Sequence, residues 1–199
     1  MTNLFKGEDG INRCTWCRSS QEYIAYHDQE WGFPVKDDFK LFEKVSLEGF
    51  QAGLSWRTIL EKRIHFREVF KGFDFNLISN FTEANVDSLL QDSRIIRHRG
   101  KIEATINNAQ KAQEMVKQEG SLASFFWRYE PSKQPLDKRS TSPESIALSK
   151  ELKRRGWKFV GPTTAYAFMQ AMGLVNDHAE GCYFRELVVK SRNDFTVPE

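Results

Sequence analysis

The stretch Gly156-Trp157-Lys158-Phe159-Val160-Gly161-Pro162-Thr163 stands between two runs of apolar residues at helical spacing, and its reading decides the fold. Before it, Ser142-Pro143-Glu144 has the form of a helix start: a hydroxyl that can cap free N–H groups, then proline where a missing N–H costs nothing. That helix is expected to reach about Arg155 and to end at Gly156. Beyond the stretch, Pro162 opens a second helix whose Tyr166, Phe168, Met169 and Met172 lead to Gly173. Residues 147–172 therefore read helix, short hairpin, helix, with Lys150, Lys153, Arg154, Arg155 and Lys158 close to the turn.

The same signals recur upstream. Asp37 or Asp38 can cap a helix carrying Phe39, Phe42 and Val45, which delivers Glu48 at its C-terminal end before Gly49 and Gly53 break it. Ser55 can cap the next helix, in which Ile59, Leu60, Phe66, Val69 and Phe70 form one stripe closed by Gly72. Thr82 starts a helix with Val86, Leu89 and Leu90, and the longest helix is expected from Lys101 through Ile106, Ala109 and Val116 to Gly120. Ser121 can cap a short aromatic helix with Phe125 and Phe126, after which Glu130 to Ser142 is polar, contains proline and reads as a surface loop. No segment alternates convincingly, so the fold class is all-α. The expected organisation is a flexible extension over 1–11, one helical domain over 12–185 and a tail over 186–199.

A chain of 199 residues with 40% hydrophobic residues can build a sizeable core. Its net charge of +2 is no polyelectrolyte signature, so any nucleic-acid footprint has to be a local patch. Aromatic residues reach 13%, more than core filling usually requires and suited to stacking flat ligands. No apolar run has signal-peptide or membrane-spanning length, so the expectation is a cytoplasmic monomer with no membrane partner. Three cysteines cannot all pair, and in a reducing compartment an odd count fits metal ligation or free thiols better than a disulfide frame.

Three constellations carry chemistry. In the hairpin, glycine lets backbone N–H groups approach closely, and the second helix presents its positive N-terminal end to a phosphate without reading sequence. This resembles a helix-hairpin-helix DNA-binding motif, although an ordinary antiparallel helix pair fits the segment equally well. The second constellation is Cys14, His27, His178 and Cys182; His178 and Cys182, four apart, would share one face of a helix and could take one tetrahedral metal with the other two. Such a site would staple the termini, although Cys14-Thr15-Trp16-Cys17 could itself offer a two-cysteine pair. The third is Leu47-Glu48-Gly49-Phe50-Gln51-Ala52-Gly53-Leu54-Ser55-Trp56, where a lone carboxylate between small and aromatic residues suits a flat, cationic or amino-bearing ligand.

Six blocks in register bear on all three: Arg13-Cys14; Tyr26-His27-Asp28 with Glu30-Trp31-Gly32; Leu47 through Trp56; Ile95-Ile96-Arg97-His98-Arg99-Gly100-Lys101-Ile102; Lys158-Phe159-Val160-Gly161-Pro162-Thr163; and Gly173-Leu174-Val175-Asn176-Asp177-His178. Together, from about residue 12 to 182, they closely resemble the bacterial 3-methyladenine DNA glycosylase I family. The resemblance implies a helix-hairpin-helix glycosylase that flips a damaged nucleotide from double-stranded DNA into a pocket and hydrolyses its N-glycosidic bond. It places one structural Zn²⁺ on Cys14, His27, His178 and Cys182, leaving Cys17 a bystander. It puts the catalytic, base-recognising carboxylate on Glu48 and the pocket aromatics on Tyr26, Trp56, Trp16 and Trp31. Lys158, Gly161 and Thr163 fall on the DNA-binding hairpin.

The residue types suit that chemistry. Methylation at N3 makes adenine cationic and its own leaving group, so little acid catalysis is needed and Glu48 is expected to discriminate more than to protonate. Stacked aromatics favour such a base by roughly 1–3 kcal/mol per contact. Many helix-hairpin-helix glycosylases carry an aspartate where this chain has Asn176, with Asp177 displaced by one. Bifunctional relatives carry a Schiff-base lysine where this chain has Pro162-Thr163-Thr164, so a monofunctional enzyme is expected. Leu54 is the candidate wedge that fills the gap left by the flipped nucleotide, competing with a role as a core leucine. Arg97, Arg99 and Lys101 are candidates to neutralise phosphates. A zinc-stapled helical module that binds DNA without catalysis is the alternative reading.

Overall fold

The computed structural model describes residues 3–134 and 139–198. In chain order the elements are β1 (Leu4–Lys6), β2 (Asn12–Cys14), α1 (Gln21–Gln29), α2 (Asp38–Gln51), α3 (Trp56–Leu60), α4 (Arg63–Val69), α5 (Phe75–Ile78), α6 (Glu83–Gln91), α7 (Arg99–Glu119), α8 (Leu122–Trp127), α9 (Pro143–Arg154), α10 (Pro162–Ala171) and α11 (Tyr183–Asn193). The fold is thus mostly helical and not purely so. β1 and β2 pair antiparallel with Phe5 opposite Arg13, which carries a small sheet across the boundary drawn at residue 12. Three-residue strands are too short to show alternation in sequence. Likewise α11 runs across the boundary drawn at 185, its Phe184 and Val188 buried against the domain.

Most caps fall where hydroxyls and carboxylates were read. Asp37, Ser55, Ser121 and Ser142 each accept a hydrogen bond from a backbone N–H in the first turn that follows. Thr82 opens α6 with a capping box shared with Asn85. The single helix expected between Ser55 and Gly72 is instead two, α3 and α4, followed by a tight turn at Lys71–Phe73, and α5 lies outside every expectation. Residues 135–138, within the loop expected over 130–142, lie outside the described residues.

The organising element is α2. From Leu41 to Phe50 every residue is buried, so the helix is covered on all sides, by α10, α7, α8 and α3 among others. Phe42, Phe50, Phe66, Phe70, Phe126 and Phe168 form much of the surrounding core. The excess of phenylalanine is therefore packing, and the flat-ligand reading passes to tryptophan and tyrosine. Gly49 does not break α2 but lies inside it, and the reason is a close approach: a Cβ there would stand 3.4 Å from Cβ of Phe159. The hairpin thus packs on the helix next to Glu48.

The hairpin follows the expectation. α9 ends at Arg154, Gly156 takes φ +84°, and Gly161 caps α10, with α9 packed on α10. Its turn is held by side chains of α7 and α9: Asn108 of α7 donates to the Lys158 carbonyl at 2.9 Å and accepts from the Lys158 N–H at 2.8 Å. Asn107 donates to the Gly156 carbonyl at 2.9 Å, and Ser149 donates to the Val160 carbonyl at 2.6 Å. Lysine 101, expected at a phosphate, is only 7% exposed and donates to the carbonyls of Phe50 and Ala52, fastening the C-terminus of α2. Arg99 is also engaged elsewhere, pairing with Glu83, Asp87 and Glu103. Among the described residues no helix is long and apolar enough to cross a membrane.

Candidate active site and metal centre

The four expected metal ligands converge. The ligand atoms of Cys14, His27, His178 and Cys182 all lie within 4.8 Å of one another, and all four residues are buried. Cys182 Sγ stands 3.6 Å from His27 Nε2 and 3.5 Å from His178 Nδ1, and Cys14 Sγ stands 3.8 Å from that same Nδ1. Bond lengths of about 2.0–2.3 Å in a tetrahedral site give edges of about 3.3–3.8 Å, the range of these three separations, so the donor set could hold a metal ion. One expectation fails in detail: His178 and Cys182 share no helix. The segment between them is a turn closed by the Cys182 N–H on the Ala179 carbonyl, and Cys182 precedes α11 as its cap.

The outer partners orient these groups. His178 Nε2 lies 3.0 Å from the Trp31 carbonyl; a carbonyl only accepts, so Nε2 holds the proton and Nδ1 presents its lone pair to the sulfurs. His27 Nδ1 lies 2.8 Å from Asp28, which Arg13 holds in turn at 2.8 Å. The Ala179 N–H donates to Cys14 Sγ. The contact with Cys14 and the close approach of both histidine rings hold the Cys182 thiol far down, whereas the contact with Cys182 and burial push Cys14 up. A cluster that favours a thiolate suits a cation. Cys17 is apart from it, its thiol donating to the Cys14 carbonyl at 3.2 Å.

Directly against this cluster stands a cleft of about 310 Å³ lined by Trp16, Tyr23, Tyr26, Trp31, Glu48, Gln51, Trp56, Arg139, Ala167, Gln170 and Asp177. All four expected aromatics and the expected carboxylate are in it. Trp16 and Trp31 meet edge to face at 4.9 Å, and Tyr26 and Trp56 are tilted at 5.3 Å. The walls rest on the ligands, with the His178 ring 4.7 Å from Trp31 and the His27 ring 5.2 Å from Trp16. Burial pushes the Glu48 carboxyl up to about 7, against the opposing pull of Lys44 one turn earlier on α2.

Other lining residues were not among the expected site. Asp177, expected only as a displaced aspartate, accepts from the Tyr166 hydroxyl at 3.0 Å and from Gln170 at 2.6 Å at the cleft wall. Asn176 is turned away into structure, donating to the Arg185 carbonyl and accepting from the His178 N–H. Lys44 was missed altogether; its spacing of four from Glu48 was the only available signal. Leu54 is 41% exposed between Gly53 and the cap of α3, which removes the core-leucine reading. Lys158 and Thr163 are exposed at the hairpin and do not line the cleft.

A helical scaffold with an aromatic cleft over a buried carboxylate, beside an exposed hairpin turn, defines a protein with a pocket shaped for a flat ring. A model of the methyladenine glycosylase family matches residues 16–186. DNA-3-methyladenine glycosylase 1 of Escherichia coli is 47% identical, over 86% of this chain and 96% of its own length, and the Haemophilus influenzae DNA-3-methyladenine glycosylase is also 47% identical, over 85% and 96%. The solved 3-methyladenine DNA glycosylase I of Staphylococcus aureus, described in a study of its 3-methyladenine recognition, superposes with a TM-score of 0.83 at 34% identity, over 87% of this chain and 96% of that one. The chain belongs to the methyladenine glycosylase family. It is a DNA repair glycosylase that excises 3-methyladenine from alkylated DNA.

Proposed function

We propose that the cleft over Glu48 is where the flipped base is held, with Trp16, Tyr26, Trp31 and Trp56 as its walls and Glu48 as the acceptor for its exocyclic amine. The single observation that carries this is the co-location of one buried carboxylate with five aromatic residues in one cleft. In the ionised state Glu48 opposes the charge of a base methylated at N3, and ring faces add attraction to a cation. Cleavage then needs no strong acid, because the leaving base departs neutral. Discrimination follows from the same contacts: an uncharged purine gains less from the carboxylate and the rings.

The DNA-side proposal rests on the hairpin and the exposed loop before α3. Backbone N–H groups around Gly161 and Thr163 at the start of α10, with Lys158, receive a phosphate of double-stranded DNA, and Leu54 enters the duplex where the nucleotide leaves. Cys14, His27, His178 and Cys182 hold one Zn²⁺, which supplies structural cross-linking and no chemistry at the base. Four protein ligands leave no open position, and the cluster's place behind Trp16 and Trp31 gives it a direct mechanical role in shaping the cleft.

The test is chromatography of free bases released from methylated duplex DNA, comparing the native sequence with Glu48→Ala. Release of 3-methyladenine, with little 7-methylguanine, lost in the variant but with DNA binding retained, is the expected result. An unaffected variant would remove Glu48 from the reading.

A further inference from the structure

The aromatic walls have a charge behind them. Lys44 is 2% exposed and does not line the cleft, yet its ammonium donates to the Tyr26 hydroxyl at 2.9 Å and lies 3.9 Å from the ring centre of Trp56 and 4.6 Å from that of Tyr26. A buried ammonium is costly, and its retention beneath two base-contacting rings calls for a role. We propose that Lys44 is a positioning residue of the base pocket, which locks the rings of Tyr26 and Trp56 in place and favours the ionised form of Glu48. This rests on the assignment of Glu48 to the base.

The surrounding charges single out that pairing. On its own helix Lys44 faces Glu43 and Glu48; from α4 it faces Arg63, and from the end of α1 it faces Glu30 and Tyr26. Glu43 and Glu30 are both occupied by Arg63, each at 2.6 Å, and Glu43 also holds Arg67. Those pairs satisfy one another, which leaves Glu48 as the carboxylate that Lys44 serves. Around Glu48 the remaining titratable groups are Tyr23 and Tyr26 of α1, with Arg139 and Asp177 on the cleft wall. Both tyrosines are pushed up by burial and stay uncharged. Burial drives the two α2 groups toward each other, Glu48 up to about 7 and Lys44 down to about 8, so each depends on the other for its charge.

The design also suits the reaction. An ammonium lining the cleft would repel a cationic base, whereas one behind the rings acts on the carboxylate while the rings stand between it and the ligand. Lys44→Met keeps the volume and removes the charge.

The experiment is the pH profile of 3-methyladenine release from methylated duplex DNA for the native sequence, Lys44→Met and Glu48→Gln. The acid limb of Lys44→Met is expected to move up by at least one pH unit, giving about tenfold slower release at pH 6.5, and to converge with the native profile near pH 9, where Lys44 is already neutral. An unmoved limb, with Glu48→Gln inactive, overturns the proposal alone. Full activity in Glu48→Gln overturns the pocket assignment on which it stands. If Lys44→Met does not fold, side-chain NMR titration of Lys44 in the native sequence decides: a midpoint near 8 that falls further in Glu48→Gln supports it, and an unshifted lysine midpoint unaffected by Glu48→Gln overturns it.

Discussion

At the scale of single residues the protein concentrates its cost on α2, where a carboxylate and an ammonium are both buried one turn apart. The consequence for pH is signed. Glu48 has its carboxyl raised from 4.5 to about 7, so the folded chain binds that proton more tightly than the unfolded chain. Its contribution to stability is therefore most favourable below pH 4.5 and is lost as pH climbs to about 7. Lys44, lowered to about 8, works the other way, recovering stability as pH rises from there to 10.5. Glu48→Gln should flatten the acid part of a denaturation-versus-pH series, while eliminating base release. The same titration sets function: release should fall on the acid side with a midpoint near pH 7, well above that of an ordinary carboxylate. A midpoint near 4.5 in the rate profile would contradict it.

At the scale of elements the hairpin and the segment after it carry the burden. Asn108 satisfies both the N–H and the carbonyl of Lys158, so Asn108→Ala leaves two backbone groups to find water. It should cost about 1–3 kcal/mol in denaturant titration and weaken DNA binding more than a surface alanine elsewhere on α7. Gly173, at the end of α10, has φ +85° and would place a Cβ 2.6 Å from the backbone of Pro34. Gly173→Ala is expected to destabilise by more than about 2 kcal/mol, since neither the dihedral nor the opposing backbone can yield cheaply. Just after the hairpin glycine the chain carries Pro162-Thr163-Thr164 and no lysine, so purified protein should leave an abasic site uncut until heat or base is added. Strand scission on a denaturing gel without such treatment would refute that.

At the scale of the whole molecule the Cys14/His27/His178/Cys182 cluster joins two ends of the chain to one wall of the cleft. Cys14 ends β2, His27 lies in α1, and His178 and Cys182 flank the turn before α11. Chelation should therefore lower the melting temperature and the rate of base release together, with both restored by Zn²⁺. Retained fold with abolished turnover would instead make the ion catalytic. Cys182→Ala should mimic chelation, whereas Cys17→Ala, whose sulfur lies outside the cluster, should leave metal content unchanged.

How much was legible follows from the range of the forces. Caps, helix periods and the Gly156–Pro162 turn are local and legible along the chain, and the six blocks in register named the residues that the fold gathers in the Cys/His cluster and the cleft. Charges were misjudged because their partners are distant in sequence: Lys101 closes α2 and Arg99 meets α6, contacts that spacing along one helix does not encode. The split of α3 from α4, the short β1–β2 pair and the course of α11 were likewise set by packing of segments that are each too short for a periodic signal. Only the tertiary structure decided that Asp177 and not Asn176 faces the cleft, and that Lys44 lies behind its walls. Burial is the reason, since whether a polar side chain is a solvated surface group or a desolvated functional one depends on what covers it, and covering is done by the rest of the chain.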